Sequence, residues 1–388
     1  MSTRSIFISA GEASGDRYLA KVVQRLLKDD PSLHLFGIGG DGCEAAGVKL
    51  IAHARQLAIT GISEVLKKIP FFLAVRQQCR QAIDRWKPCC AILVDFPDFN
   101  LRLAKDLHAR QVPILYYILP QLWAWRPGRL RVIQRTVSRG VVIFPFEPDW
   151  YREHGFHVDY LGHPLLDEIP AAVSAIDARR RLGLDPERMT LVVMPGSRQN
   201  ELNRLLPPVR ATLERVTERL PMLQTVVPIA STVDGEPIRA ALRGFANLSF
   251  VSGSEIFLAL QAADVGLIKS GTSVLEACMA RLPMVVIYKV SRTTELLVRL
   301  LLNRSVRHFS IVNVLSREGV VPELSQRHVN PTRITAALIE LLESSEKREQ
   351  MKNRLTTVAR SLGASGAGDR VAKVAQSLMG ENRRVGGV

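Results

Sequence analysis

The sequence has few of the features that mark secreted or membrane-spanning proteins. Its five cysteines are odd in number and form no C-x-x-C pair, which favours reduced core residues in the cytoplasm over a disulfide framework. No apolar run approaches the about 20 residues that a spanning helix needs, so any membrane contact is expected to be peripheral. Ile6 to Ala10 has the pattern of a short strand followed at once by acidic residues, so we expect no signal peptide.

Acidic residues are also scarce. The 388 residues include 52 Lys and Arg against 37 Asp and Glu, a formal net charge of +15. A charge of this size indicates an anionic partner, which could be nucleic acid, an acidic lipid surface or a phosphorylated substrate. The content of 47% hydrophobic residues is that of an ordinary globular protein, and the length predicts about two domains.

Strand, loop and helix patterns alternate through both halves of the chain. Each half opens with a strand and a glycine-containing turn, which predicts an α/β protein of two doubly wound, Rossmann-like domains facing across a ligand cleft. We expect the domains at residues 1–167 and 168–365. A final helix and tail at residues 366–388 could pack back on the first domain.

Two loops in the first half carry candidate site residues. AGEASGD follows the first strand and places Ser14, Gly15 and Asp16 where a polar ligand can approach closely, although Asp16 could simply cap the helix. It is not G-x-G-x-x-G, so a dinucleotide site is not predicted. DFPDFN follows a buried strand, and Asp95 or Asp98 could act as a general base there. The alternative is that Asp95 anchors the turn and Asp98 caps the helix.

Two basic segments suggest contact with an anion or a lipid. Pro120 to Arg139 carries five arginines beside Trp123 and Trp125 and no acid, a pattern that suits single-stranded nucleic acid or a sugar phosphate. No recognised nucleic-acid module surrounds it, which favours phosphate on a small or lipid substrate. Thr60 to Trp86 has the pattern of two short basic amphipathic helices interrupted at Pro70, typical of an interfacial membrane contact or of a core-packed helix pair.

Two strand-turn-helix junctions in the second half could bind phosphate. Thr190 to Met194 leads into Gly196, Ser197 and Arg198, where backbone, hydroxyl and guanidinium donors precede a helix. The junction lacks the lysine of a P-loop, so phosphate hydrolysis is not predicted. Ala263 to Lys289 presents Ser270, Gly271 and Thr272 at a helix start, with Glu276 placed to accept from ribose hydroxyls, although any α/β unit needs such a turn.

Taken in order, these motifs resemble those of the lipid-A-disaccharide synthases, inverting glycosyltransferases of the GT-B fold. The matching segments run from about Ser9 to Gln326 and are AGEASGD, GIGG, TGISEVL, DFPDFN, PQLWAWR, FPFE, GHPL, PGSRQNE, SGTSVLE and PMVVIYK. The resemblance implies transfer of 2,3-diacylglucosamine from UDP to 2,3-diacylglucosamine 1-phosphate, giving the β-1,6-linked disaccharide 1-phosphate and UDP. It also implies peripheral association with the cytoplasmic face of the inner membrane, a homodimer and no nucleic-acid partner.

The resemblance assigns roles to individual residues. Asp98 is expected to be the base, and Arg198 to stabilise the departing UDP in place of a metal. No metal or other cofactor is expected, since no Asp-x-Asp lies where a cation would bridge a diphosphate. The expected nucleotide-binding residues are Gly196, Ser197, Arg198, Ser270, Gly271, Thr272, Glu276 and Asn313, although Ile311 and Val312 depart from the Leu-Pro that precedes this asparagine in the family. The expected acceptor-binding residues are Ser14, Gly15, Asp16, Asn100, Arg126 and Arg129.

Two other functions fit part of the pattern. A UDP-N-acetylglucosamine epimerase or a peptidoglycan glycosyltransferase of the same fold would share the second-domain motifs but has no need of the apolar, basic segment in the first. A basic nucleic-acid-binding protein would use the net charge and bind with steep salt dependence. The carboxylate-bearing loop at a strand end argues against that second alternative.

Overall fold

The computed structural model describes residues 4–57, 62–230, 232–291, 295 and 307–385, with the backbone alone for residues 62–67 and 381–385. It divides into two compact units. The first comprises Met1–Glu168 with Leu362–Val388, and the second comprises Ile169–Ser361.

The first unit is built on a parallel sheet in the order β3-β2-β1-β4-β5-β6-β7, counted over the described residues. Its strands are β1 Ser5–Ala10, β2 His34–Gly39, β3 Lys49–His53, β4 Cys90–Val94, β5 Ile114–Tyr117, β6 Arg139–Val142 and β7 Val158–Tyr160. Its helices are α1 Ala13–Asp29, α2 Asp41–Ala45, α3 Ala54–Leu57, α4 Ile62–Trp86, α5 Pro97–His108, α6 Leu130–Thr136 and α7 Glu147–Glu153, with 3₁₀ turns at Pro127–Arg129 and Pro164–Asp167.

The second unit repeats the arrangement, and its described strands form a parallel sheet in the order β10-β9-β8-β11-β12-β13. These strands are β8 Thr190–Met194, β9 Gln224–Ile229, β10 Leu248–Ser252, β11 Val265–Lys269, β12 Met284–Tyr288 and β13 Glu323–Ser325. The helices are α8 Ala175–Arg181, α9 Gln199–Arg219, α10 Glu236–Ala241, α11 Ile256–Ala262, α12 Thr272–Met279, α13 Ile311–Ser316, α14 Pro331–Glu343 and α15 Ser345–Ser361, with 3₁₀ turns at Gly253–Glu255 and Gln326–His328.

The strand order creates one switch point in each sheet. Successive strands are added toward one edge of the sheet and then toward the other, and the change occurs between β1 and β4 in the first unit and between β8 and β11 in the second. All four of these strands are buried, except for the final residue of β11, Lys269, which is half-buried. Loops that leave such a pair of strands at their carboxyl ends diverge and open a crevice, which is where open α/β sheets bind ligands.

The last helix, α16 Ala367–Val385, returns to the first unit and packs against α1. Gln376 Nε2 donates to Asp29 Oδ2 over 2.9 Å, and the α1 positions Val22, Val23 and Leu26 are fully buried. The Asp167 carboxylate accepts from the backbone N–H groups of Gly366 and Gly368 and so caps the helix. The first unit is therefore assembled from both ends of the chain.

The structure corrects one expectation about Thr60 to Trp86. In place of two short helices broken at Pro70, it has the single helix α4, with Pro70 inside it. Phe72 packs against Phe96 and Phe99 with ring centroids 6.4 and 6.0 Å apart, which anchors the helix next to the proline. Thr60 itself and the side chains of residues 62–67 lie outside the described residues. No helix in the described part of the chain is long and apolar enough to cross a membrane.

Candidate active site

At the first switch point, the loops after β1 and β4 are in direct contact. A Cβ atom added to Gly11 would lie 2.3 Å from a carbon of the Phe96 ring, so only glycine lets the two loops meet. Ser14 is half-buried and Gly15 is buried at the start of α1. These two predicted acceptor residues therefore lie in the first turn of a helix, at the carboxyl edge of the sheet.

Asp16 is committed to holding the fold. Its carboxylate accepts from the backbone N–H groups of Gly40 at 2.6 Å, Gly42 at 2.9 Å and Cys43 at 3.1 Å, and the residue is buried. A carboxylate with three such partners caps the first turn of α2. The cap belongs to a neighbouring helix and not to α1, and the side chain's capacity to accept from a sugar hydroxyl is largely used.

Asn100 likewise joins β1 to β4. Its Oδ1 accepts from Ser9 Oγ at 2.6 Å, and its Nδ2 donates to the carbonyls of Val94 at 3.1 Å and Asp95 at 2.8 Å. The side chain is fully buried. These bonds support a strained turn in which Asp95 and Phe96 both have positive φ, 44° and 49°. Asn100 thus shapes the loop that delivers Asp98.

Asp98 is exposed beside the arginine-rich loop, which connects β5 to α6. Its Oδ1 accepts from Arg126 Nη1 at 3.2 Å and from Arg129 Nη2, while 76% of the side chain remains accessible. The Arg126 guanidinium also lies 5.3 Å from the centroid of the Trp125 ring. Three predicted residues from two loops are therefore brought together, and both arginine contacts fall on one carboxylate oxygen.

Glu147 holds the arginine-rich loop in place, a role that sequence reasoning missed. It is fully buried, and it accepts from Trp123 Nε1 at 3.1 Å and from the N–H groups of Ile143 at 3.2 Å and Phe144 at 3.0 Å. Burial raises the pKa of the Glu147 carboxyl to about 7 against the opposing effect of these donors. The FPFE segment could have indicated this role, because Glu147 is an acidic residue among apolar ones just after a strand, where a buried carboxylate needs hydrogen-bond donors.

At the second switch point, the loop after β8 is folded around Glu201. Gly196 has φ +141°, and a Cβ atom there would lie 2.9 Å from Glu201 Oε2, so the loop depends on glycine. Glu201 Oε2 accepts from the Ser197 N–H at 3.2 Å, and Thr232 Oγ1 donates to the Ser197 carbonyl at 3.0 Å. The Ser197 and Arg198 side chains stay exposed. This fixes the loop backbone while leaving both side chains at the surface.

The loop after β11 lies beside the loop after β8. Lys269, the last residue of β11, donates to Glu201 Oε1 at 2.6 Å, and Ser270 continues the sheet by donating its N–H to Ile287 O at 2.9 Å. Gly271 and Thr272 are exposed where α12 begins, and Glu276 is buried one turn further on. Gly271, the N-cap residue of α12, has no side chain with which to cap the helix, and the N–H groups at such a helix start favour an anion.

Tyr288 places an aromatic ring next to these loops. Burial raises the pKa of Tyr288, and the Glu201 carboxylate raises it further while Arg198 opposes the shift. Its ring lies 5.8 Å from that of Phe309. Neither ring was among the predicted site residues.

The Asn313 side chain uses all of its hydrogen-bond donors and acceptors within the second unit. Its Oδ1 accepts from the N–H groups of Val320 at 2.8 Å and Val321 at 2.9 Å, and its Nδ2 donates to Val321 O at 2.9 Å and Glu323 Oε1 at 2.8 Å. The residue is 1% exposed. Its side chain closes the turn between α13 and β13, so direct contact with a nucleotide would require breaking these bonds.

Among the described residues, one group of side chains has metal-ligand spacing. Asp41, Glu44 and His53 offer ligand atoms within 4.8 Å of one another. His53 Nδ1 accepts from the Arg55 N–H at 3.1 Å, so its Nε2 carries the proton and donates to Asp41 Oδ1 at 3.1 Å, and Arg55 also pairs with Asp41. Both ring nitrogens are thus engaged, and the adjacent guanidinium disfavours a cation.

Sequence comparisons match nearly the whole chain. The family model described as Lipid-A-disaccharide synthetase matches residues 6–373. The lipid-A-disaccharide synthase of Myxococcus xanthus is 40% identical over 378 residues, covering 97% of this chain and 98% of the relative. That of Syntrophus aciditrophicus is 38% identical over 381 residues, covering 98% of this chain and 99% of the relative.

Solved structures share the fold at low identity. The UDP-GlcNAc 2-epimerase of Neisseria meningitidis, solved bound to UDP-GlcNAc, aligns with a TM-score of 0.65 and 12% identity over 96% of this chain and 99% of that one. The calicheamicin glycosyltransferase CalG4 aligns with a TM-score of 0.61 and 16% identity over 98% and 99%. These likenesses, with the two parallel sheets, confirm two Rossmann-like domains.

Proposed function

The chain belongs to the lipid-A-disaccharide synthetase family and is a glycosyltransferase of that family, and from this we propose the reaction that it catalyses. The donor is UDP-2,3-diacylglucosamine and the acceptor is 2,3-diacylglucosamine 1-phosphate. The products are the β-1,6-linked disaccharide 1-phosphate and UDP. The observation that carries the proposal is a family match that spans both switch points, from residue 6 to residue 373.

The second unit would bind the nucleotide. Gly196, Ser197 and Arg198 would meet the diphosphate from one loop, and Ser270, Gly271 and Thr272 from the other. The uncapped N–H groups at the start of α12 and the exposed Arg198 guanidinium support this placement. Glu276, one turn into α12, would accept from the ribose hydroxyls. Asn313 would contribute indirectly, since its hydrogen bonds shape the turn before β13.

The first unit would bind the acceptor and hold the base. Asp98 would take the proton from the acceptor 6-hydroxyl, whose oxygen attacks the anomeric carbon of the donor sugar as the bond to UDP breaks on the opposite face, which inverts the configuration. The exposed Asp98 carboxylate supports this role because 76% of the side chain is accessible and, among the described residues, both arginine hydrogen bonds are made to Oδ1. Arg126 and Arg129 would meet the acceptor 1-phosphate, with Ser14 and Gly15 near the sugar.

Arg198 would stabilise the charge that develops on UDP. A guanidinium beside helix N–H groups can serve in place of a divalent cation because both supply fixed positive charge to the leaving diphosphate. The reaction is therefore expected to proceed with metal chelated.

The lipid chains and the membrane would be met by the middle of α4. Ile69 and Leu73 lie four residues apart on this helix and are 44% and 52% exposed, which is unusual for large apolar side chains. Basic residues on the same helix suit an anionic leaflet. We accordingly propose a cytoplasmic protein that associates peripherally with the inner membrane. A homodimer is also expected, and sedimentation would test it.

The test is UDP release by purified protein mixed with UDP-2,3-diacylglucosamine in detergent containing EDTA, with and without 2,3-diacylglucosamine 1-phosphate. Release that depends on the acceptor, together with a disaccharide product, is the expected result. Folded protein that binds UDP but releases none with this pair would contradict the proposed substrates. Activity that appears only when a divalent cation is restored would contradict the role given to Arg198.

A further inference from the structure

Glu201 ties together the two phosphate-facing loops of the second unit. It lies in the first turn of α9, 16% exposed, and its two carboxylate oxygens are used differently. Oε2 accepts from the Ser197 N–H in the loop after β8, whereas Oε1 accepts from Lys269 Nζ, at the end of β11, over 2.6 Å. A single carboxylate therefore sets the spacing between loops that leave two neighbouring strands.

Two cations converge on this carboxylate. Arg198 Nη1 lies 4.0 Å from the same Oε1 atom that binds Lys269. Lys269 is only 15% exposed, so its long side chain is held in one place by its surroundings. With one carboxylate between two cations, the group carries a net charge of +1 when all three are ionised. Arg198 is 52% exposed and Lys269 is 15% exposed, so both positive charges lie where an anion at the loops after β8 and β11 would be attracted.

The Lys269 ammonium also lies beside the start of α12. A Cβ atom on Gly271 would be 3.6 Å from Lys269 Nζ. An ammonium has three N–H bonds, and Glu201 is its hydrogen-bonding partner in the described part of the chain. Further N–H bonds thus remain to donate at the position where the uncapped N–H groups of α12 also point.

We propose that Lys269 is a second cationic ligand of the diphosphate, beside Arg198, and that Glu201 is the positioning residue that holds both. This inference rests on the proposed binding of a UDP-sugar in the second unit. It assigns Lys269 a share of the affinity for phosphate and none of the affinity for the nucleoside. Glu201 would act by fixing where the two cations stand and would not itself touch the ligand.

The experiment compares UDP with uridine by calorimetric titration of the full chain. In Lys269→Met the affinity for UDP should fall about 10-fold, as expected for one charge-assisted hydrogen bond, while the affinity for uridine stays within about 2-fold of wild type. Lys269→Arg should retain most of the UDP affinity because it keeps a cation. Lys352→Met is the matched control, since it removes an exposed lysine of the same unit that pairs with Glu349, and it should bind both ligands as wild type does.

A structural role for the lysine predicts a different pattern. If Lys269 only neutralises Glu201, the double variant Glu201→Gln, Lys269→Met removes both charges and recovers wild-type UDP affinity, which would overturn the proposal. The double variant also replaces Lys269→Met as the test if that single variant fails to fold. We expect the double variant to bind UDP at least 10-fold more weakly than wild type. Equal UDP binding by Lys269→Met and wild type would refute the lysine's role alone. Wild-type protein that binds UDP no better than uridine would refute the proposed function as well.

Discussion

Replacing Asp98 by Asn should lower turnover about 1000-fold, within the range that a general base contributes. A factor of this size corresponds to about 4 kcal/mol in the activation barrier. Asn keeps the shape of the side chain and an oxygen that can accept from Arg126 or Arg129, but it cannot take up the proton of the acceptor hydroxyl. The loss should therefore appear in turnover at saturating concentrations of both substrates.

The same change should leave the fold nearly intact. The Asp98 side chain is 76% exposed, and its ion pairs with Arg126 and Arg129 lie at the surface. Exposed ion pairs contribute about 0–1 kcal/mol to stability. For a domain of this size, that corresponds to a shift of the thermal midpoint of at most about 4 °C.

The assay is acceptor-dependent UDP release, measured with the thermal midpoint of each variant. Asp149→Asn is the matched control, because Asp149 is 69% exposed in the same unit and pairs with Arg152 at 2.8 Å. It removes the same charge and one exposed ion pair, so it should change turnover less than about 2-fold if only Asp98 acts as a base.

Two results would refute this reasoning. Asp98→Asn protein that folds normally and keeps more than about a tenth of its turnover cannot have lost the catalytic base. An equal loss in Asp149→Asn would show that the effect is one of net charge. Asp95, in the same loop, would then be tested before Asp16, whose carboxylate already accepts from three backbone N–H groups.

Two further predictions concern buried polar side chains. The pKa of Glu147 is about 7 in the folded protein against 4.5 for a free carboxyl, so the folded state holds a proton that the unfolded chain releases, and the stability that Glu147 contributes should fall as pH rises from 4.5 to 7, by up to about 3 kcal/mol. Burial of His163 lowers its pKa to about 4 and makes stability rise with pH in wild type and variant alike. Denaturant unfolding at pH 5 and pH 8 should therefore show that the free energy of unfolding of wild type falls relative to that of Glu147→Gln, and a constant difference would contradict the assignment. Asn313→Ala should destabilise the second unit by about 3 kcal/mol because it leaves the N–H and carbonyl groups of the buried Val321 without the side-chain amide that they bond. The control Asn203→Ala, at an exposed position on α9, should cost less than about 0.5 kcal/mol in the same unfolding experiment.

The positions of the site loops could be predicted from the sequence because strand ends and glycine turns are local features. A buried apolar strand followed by DFPDFN or PGSR is enough to place a polar loop at the edge of a parallel sheet. The partners of the polar side chains could not be predicted in this way. Asp16 binds N–H groups in the turn after β2, and Glu201 binds Lys269 at the end of another strand. Both pairings depend on the sheet order, which no local pattern contains.

Pro70 shows the opposite difficulty, a strong local signal that tertiary packing overrides. Proline removes one backbone donor from a helix and disfavours its interior. The α4 helix nevertheless continues through Pro70, next to Phe71 and Phe72, which pack on the core of the first unit. The sequence shows the local cost of the proline but not the aromatic cluster with Phe96 and Phe99 that offsets it.

The return of α16 to the first unit has a consequence for synthesis on the ribosome. The α16 helix packs along α1 at Lys21, Arg25 and Asp29, and its residues are translated after the whole of the second unit. The second unit, Ile169–Ser361, is continuous in the chain, so its folding does not depend on α16. The first unit, although its sheet is translated first, cannot complete its contact with α16 until that helix has left the ribosome. Nascent chains stalled before Ala367 should thus engage chaperones through the side of the first unit that α16 covers.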